Sequence, residues 1–215
     1  MRFITLRRYY LDQNLAKINF YGDVLDIGGK KNNKRGSFSP KLLNVKSWIY
    51  LNNDLSTNPD IPCSADNISL GDNLFNFIVM TEVIEYVDDY FRALEEAHRI
   101  LIPGGKLILS VPLFNPIHGD LGDKYRFTEF KLIEDLTKLG FCNINLKKMG
   151  SITAIFYDFL LSELRKHRYY NFIFLRILRK CFRFALSKIV LYFDRILFKE
   201  SNSTTGYFIL CEKNI

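Results

Sequence analysis

In this 215-residue chain, acids and glycines recur just after short apolar runs. Asp26 sits near the end of the run 23–27, and Gly28 and Gly29 follow it. Glycine lets a backbone turn sharply and lets a ligand press against the main chain. No G-x-G-x-x-G follows, which reduces a nicotinamide dinucleotide to a minor alternative. Asp54 closes the next run, where a carboxylate can accept two hydrogen bonds from the ribose hydroxyls of an adenosine. A solvated loop aspartate is the competing reading. Asp66 and Asn67 come before a third run, 74–80, and Glu82 comes just after it. The segment 113–127 then gathers His118, Asp120, Asp123, Lys124, Tyr125 and Arg126, a dense set of titratable groups.

The elements that must position these residues alternate in type. Buried strands are expected at 23–27, 47–52, 74–80 and 106–111. A helix over 88–101 has Phe91, Leu94, Ala97, Ile100 and Leu101 at helical spacing, and Pro103-Gly104-Gly105 makes a turn after it. Thr128 caps a helix from 129 to 139 that stops at Gly140; strands follow at 141–148 and 204–210. Strands separated by helices imply a mostly parallel sheet with helices on both faces, whose ligand site lies at the carboxyl ends of the strands. The acids and glycines above occupy those ends. The segment 30–40 departs from the pattern. It is polar and basic (Lys30, Lys31, Lys34, Arg35) and lacks the apolar period of a crossover helix. It reads either as a solvated insertion or as a clamp for an anionic acceptor or a ligand carboxylate.

Four motifs in order carry a family resemblance. They are the strand-turn 24–29, the strand end at Asp54, the run Phe75-Asn76-Phe77-Ile78-Val79-Met80-Thr81-Glu82-Val83-Ile84-Glu85-Tyr86-Val87, and the turn Leu101-Ile102-Pro103-Gly104-Gly105-Lys106-Leu107. Together they resemble the class I S-adenosylmethionine-dependent methyltransferases, especially the small-molecule branch known as methyltransferase type 11. Lys30 stands at that family's third glycine position and Tyr86 at its usual histidine. The resemblance implies a Rossmann-like α/β fold with an antiparallel last strand, and S-adenosylmethionine as cofactor. It implies Asp26, Gly28 and Gly29 under the methionine part, Asp54 on the ribose, Asp66 with Asn67 at the adenine edge, and Glu82 near the sulfonium. A positive sulfur without phosphate suits acids and close backbone contacts better than a phosphate cradle.

Methyl transfer requires alignment of donor and acceptor and, for a hydroxyl, removal of a proton. His118 is the expected base, with Asp120 orienting it or acting instead; a surface histidine is the plain alternative. Tyr125-Arg126-Phe127-Thr128, with Leu139-Gly140-Phe141, resembles a feature of methyltransferases found with cell-surface glycan genes. By that resemblance the acceptor is a sugar or similar small molecule, methylated at oxygen. Arg126 either binds a substrate anion or pairs with a neighbouring acid. The departures at Lys30 and Tyr86 keep open a partner protein that binds the cofactor without catalysis.

The net charge of +7 is unevenly distributed. Residues 147–200 hold 12 Lys and Arg against 4 Asp and Glu, while the remainder is close to neutral. Two parts are therefore expected: a cofactor-binding domain of 1–150 with 201–215, and a basic aromatic helical insertion over 151–200. In the insertion Arg176, Arg179, Lys180 and Arg183 share one helical face. Leu178, Cys181, Phe182, Ala185, Ile189, Tyr192 and Ile196 gather opposite. It reads as a hairpin packed on the sheet or on a second subunit, or as an amphipathic helix on an anionic membrane. Nucleic acid is disfavoured because the cations accompany an apolar face and no RNA-binding motif is present. The N-terminus has no secretory h-region, no run reaches the ~18 apolar residues of a membrane span, and four cysteines lack any C-x-x-C pair. Those features lead to an expectation of a cytoplasmic protein, at most peripheral to the membrane, with reduced thiols and neither a disulfide framework nor a metal site.

Overall fold

The computed structural model describes residues 5–32, 36–116, 122–194 except 167–184, then 196 and 201–215, the side chains of 165 and 166 excepted. Six strands form one sheet: β1 (Gly22–Ile27), β2 (Val45–Leu51), β3 (Phe75–Thr81), β4 (Leu101–Pro112), β5 (Phe141–Lys148) and β6 (Gly206–Lys213). Their order is β2-β1-β3-β4-β6-β5. The first four neighbours are parallel, and β6 runs antiparallel to both β4 and β5. The expected Rossmann-like α/β fold is thus the observed one. From β1 the chain moves outward to β2 and then returns to β3, so the topological switch, where ligands enter such sheets, lies between the ends of β1 and β3.

Alternating side chains separate two cores. On one face Leu25, Ile27, Ile78, Met80, Leu107, Leu109 and Ile209 pack against α2 (Tyr90–Ile100) and α3 (Glu129–Lys138). On the other, Val24, Phe77, Val79, Ile108 and Phe208 are covered by Leu11 and Leu15 of α1 (Leu6–Leu15), with Phe20 and Met149. The segment 30–40 forms no helix among its described residues, in keeping with its polar composition. The N-terminal helix covers that face, and Phe38 packs at its margin.

That helix was not expected from the sequence. Its buried residues Leu6, Leu11 and Leu15 do not follow a clean helical period. It is held by contacts from far along the chain. Thr5 caps it locally, while the carboxylate of Asp158, in α4 (Ile152–Lys166), accepts from the backbone N–H of Leu6 at 2.8 Å and of Arg7 at 3.1 Å. Asp194, at the end of the helical stretch 185–194, accepts from the Tyr10 hydroxyl at 2.6 Å. Its other oxygen accepts from Ser151 N at 3.0 Å, Thr153 Oγ1 at 2.6 Å and Ala154 N at 3.2 Å, capping α4. Leu6 packs among Ala154, Tyr157, Leu161, Leu186, Val190 and Leu191, tying the three helices together.

Two further boundaries differ from expectation. Pro103-Gly104-Gly105 lies inside β4 as a bulge: β3 pairs with Leu101 and then with Lys106, and Gly104 takes φ +74°. The last strand starts at Gly206 rather than Thr204. The backbone approaches Val111 so closely there that a Cβ would lie 2.4 Å from its carbonyl oxygen, and Thr204 turns its hydroxyl to Met149. The basic ridge Arg176, Arg179, Lys180 and Arg183, with Leu178, Cys181 and Phe182, lies outside the described residues.

Asp194 is buried, and burial alone would raise its carboxyl. The hydrogen bonds from Ser151, Thr153 and Tyr10 instead hold it below the usual range. Asp194→Ala leaves buried donors without an acceptor and should cost about 3 kcal/mol of unfolding free energy. Urea denaturation checks this, and Asp194→Asn, which keeps one acceptor oxygen, should lose less.

Candidate functional site

The carboxyl ends of β1 and β3 meet through a glycine. Gly28 takes φ +75°, and a Cβ there would sit 2.4 Å from a Val83 methyl, so only glycine fits both backbone and neighbour. Gly28 N–H donates to Leu51 O at 2.7 Å, joining the turn to the end of β2. At Gly29 a Cβ would fall 2.4–2.6 Å from the Asp26 carboxylate, so bare backbone lies directly against that acid. Trp48 Nε1 donates to Asp26 at 3.3 Å. Asn52 closes the turn from the β2 side, donating to Gly29 O at 3.1 Å and accepting from Asp54 N at 2.9 Å.

Asp54 caps the short 3₁₀ turn Leu55–Thr57. One oxygen accepts from Ser56 N at 3.0 Å and Ser56 Oγ at 2.6 Å, which holds the carboxyl below its ordinary value, aided by Lys30. The other oxygen faces Lys30 Nζ at 3.9 Å in a half-exposed pair. Lys31 pairs with Asp60 at 2.5 Å. Both loop lysines therefore rest on acids beside the β2 end; Lys34 and Arg35 lie outside the described residues. Asp66 and Asn67 form a turn between the buried Ala65 and Ile68, and among the described residues no hydrogen bond joins them to the Gly28–Asp54 set.

Glu82 has a left-handed backbone, φ +59°, immediately after β3. For a non-glycine residue that conformation costs about 1 kcal/mol or more, and it aims the side chain across the sheet end. Ser110 Oγ donates to one Glu82 oxygen at 3.2 Å, and the other forms an ion pair with Arg7 from α1. Burial lowers the Arg7 guanidinium from its usual value, against the opposing pull of Glu85 and Asp158.

Glu85 is the residue that sequence reasoning passed over. In the sequence it stands only as part of a motif, yet it is fully buried, and neither carboxylate oxygen has a hydrogen-bond partner among the described residues. Desolvation raises its carboxyl to about 7; Arg7 and Arg126 oppose the rise, and Asp123 adds to it. The backbone carbonyl of Glu85 accepts from Lys124 N at 2.8 Å, which pins the segment 123–127 over the site. Arg126 makes a two-pronged pair with Asp123, so its fate is the structural one. Tyr90 meets Tyr125 and Phe127 edge-on, with centroids 5.2 and 4.8 Å apart, and Tyr125 and Phe127 are tilted to each other. His118 and Asp120 lie outside the described residues.

Comparison with known proteins matches residues 38–109, a third of the chain, to the family described as a methyltransferase domain, Methyltransf_11. A curated relative, the ubiquinone/menaquinone biosynthesis C-methyltransferase UbiE of Rickettsia prowazekii, is 26% identical over 156 residues. The match covers 63% of this chain and 62% of that protein, so the chain spans less than two thirds of the relative's length. Among solved structures, Haemonchus contortus phosphoethanolamine N-methyltransferase 2 in complex with S-adenosyl-L-methionine superposes over 97% of this chain and 52% of its own, with TM-score 0.56 and 17% identity. A SAM-dependent methyltransferase from Archaeoglobus fulgidus covers 96% of this chain and 94% of its own, at TM-score 0.56 and 15% identity. These likenesses establish the fold.

The sign of the Glu85 effect follows from its raised carboxyl. The folded state holds this proton more tightly than the unfolded chain, so the contribution is full below about 4.5 and is lost as pH rises through about 7. Glu85→Gln cannot ionise, so across that window its thermal midpoint should gain on wild type as pH rises. Parallel curves would contradict the assignment.

Proposed function

We propose that this chain is a class I S-adenosylmethionine-dependent methyltransferase acting on a small-molecule or sugar acceptor, at oxygen. The domain match over 38–109 and the fold support S-adenosylmethionine as the cofactor. One observation carries the reading furthest. At the topological switch, two residues without side chains present bare backbone against Asp26 and Val83, with Asp54 and Glu82 on either side. A cradle of this kind fits a ligand that combines an amino acid, a ribose and a positive sulfur, because close backbone contact and carboxylates serve all three.

When bound, the cofactor supplies an electrophilic methyl group. The chain's own residues bind and orient. Asp26 and the turn Gly28–Gly29 would hold the methionine part, and Asp54 would accept from the ribose hydroxyls. Asp66 and Asn67 would meet the adenine edge. Glu82, held by Ser110 and Arg7, would lie near the sulfonium. His118, with Asp120, takes the acceptor hydroxyl's proton. Glu85, three residues beyond Glu82, is buried beneath this site with its carboxyl raised to about 7 by desolvation. The glycan-precursor class of the acceptor rests on the resemblance of 125–128 and 139–141.

A specific observation favours a second reading, a cofactor-binding partner protein without catalysis. Lys30 faces Asp54 and Arg7 pairs with Glu82, so each acid already has a cation beside it.

Calorimetry with S-adenosylmethionine and S-adenosylhomocysteine tests the proposal. Wild type should bind both, and Asp54→Ala should weaken each about 10- to 100-fold through two lost charge-assisted hydrogen bonds. No binding by wild type would sink the cofactor assignment. Binding of both without methylation of any acceptor extract would favour the second reading. His118→Ala should lower turnover at least about 100-fold if it is the base, and unchanged turnover would retire it.

A further inference from the structure

Several cations near the carboxyl ends of the strands are bonded closely to acids. Arg7 pairs with Glu82, Lys124 with Asp88, Arg126 with Asp123, and Lys31 with Asp60 at 2.5 Å. Lys30 differs from these four. Its Nζ lies 3.9 Å from Asp54 Oδ2, beyond hydrogen-bond reach, and both side chains are 43% exposed. A half-exposed pair at that distance contributes little and exchanges readily. Among the described residues, neither Lys30 Nζ nor Asp54 Oδ2 makes a hydrogen bond.

The described main chain on either side of Lys30 is anchored. Before it, Asn52 Nδ2 donates to Gly29 O at 3.1 Å. After it, Ser37 N and Oγ donate to the buried Asp12 of α1 at 2.5 and 3.0 Å. Gly36 permits that second contact, because its φ is +86° and a Cβ would lie 2.3 Å from Arg8 Nε. Lys30 thus extends from held backbone on a flexible four-carbon stem. Asp54, for its part, does not depend on the lysine. Its other oxygen accepts from Ser56 N and Oγ, and those bonds, more than Lys30, hold the carboxyl below its ordinary range. The acid stays ionised when the lysine leaves.

Lys30 directly follows Gly28 and Gly29, the turn that the proposed function gives to the amino-acid part of the ligand. An amino acid brings an ammonium and a carboxylate, which need an acid and a cation. Asp26 is the acid beside this turn, and Lys30 is the next cation along the chain. We infer that Lys30 recognises the ligand's carboxylate, moving to it from Asp54 and so clearing Oδ2 for the ribose hydroxyls. The inference rests on the proposed cofactor and adds a selectivity to it: a ligand that keeps the carboxylate binds better than one that lacks it, and Lys30 makes the difference.

Calorimetry on the full chain tests this with two ligands: S-adenosylhomocysteine, and its decarboxylated analogue, which keeps the ammonium, thioether, ribose and adenine. Wild type should prefer S-adenosylhomocysteine. Lys30→Met should weaken S-adenosylhomocysteine about tenfold or more and leave the analogue as tightly bound as in wild type, or tighter, because Asp54 loses its competitor. Lys30→Arg, which keeps the charge, should retain the preference. The thermal midpoint of Lys30→Met should match wild type, since the side chain is half-exposed. Equal weakening of both ligands by Lys30→Met would mark a structural role and overturn the inference. So would unchanged affinity for S-adenosylhomocysteine, including the case where only an anionic acceptor is bound less well. In both cases the cofactor assignment stands, whereas a wild type that binds neither ligand removes that assignment and this inference together.

Discussion

A mostly parallel sheet has two apolar faces, and both need cover. In this chain the face made by Val24, Phe77, Ile108 and Phe208 receives no helix from the described residues of the β1–β2 connection. The N-terminal helix α1 supplies the cover, and much of the remaining architecture follows from holding it there. The two buried carboxylates, Asp158 and Asp194, anchor α1 and cap α4, which recruits the helices before the last strand into the same body. An arginine on α1 then reaches the end of β3 and meets Glu82. Cover, anchoring and site geometry are thus one arrangement.

The same arrangement sets the electrostatics of the strand ends. Arg7, Glu85 and Arg126 lie close enough to influence one another, Asp123 raises both Glu85 and Arg126, and Arg7 and Glu85 have given up most of their water. Arg126 is satisfied by Asp123 and Glu82 by Arg7, whereas Glu85 has no hydrogen-bond partner among the described residues. A buried carboxyl without a partner is costly to retain, and such groups concentrate where a protein handles protons or ligands.

Much of this was legible in the sequence because it rests on local periodicity. The apolar runs at β1, β2 and β3 and the amphipathic period of α2 and α3 lie within two residues of their expected bounds. The polar composition of 30–40 agrees with the absence of a helix among its described residues. What was not legible depends on distant contacts. Nothing in Leu6–Leu15 announces a helix whose first N–H groups are capped from 152 residues away by Asp158. The Pro103-Gly104-Gly105 signal is a true break in regular backbone, but pairing with β3 resumes on its far side and makes it a bulge. At the site, residue type and position single out Gly28, Gly29, Asp54, Asp66, Asn67 and Glu82; Gly28 and Gly29 follow β1, Glu82 follows β3 and Asp54 follows β2, while no hydrogen bond among the described residues joins Asp66 or Asn67 to them. Glu85 escaped because burial, not residue type, makes it unusual.

The central claim is that the turn after β1 and the ends of β2 and β3 hold an adenosyl-amino-acid ligand. A crystal structure with S-adenosylhomocysteine tests it most directly. The account predicts the amino-acid part against Gly28 and Gly29, the ribose hydroxyls on Asp54 with Lys30 displaced, and the sulfur on the Glu82 side. Ligand density away from these three strand ends, or an Asp54–Lys30 pair undisturbed by bound ligand, would contradict it.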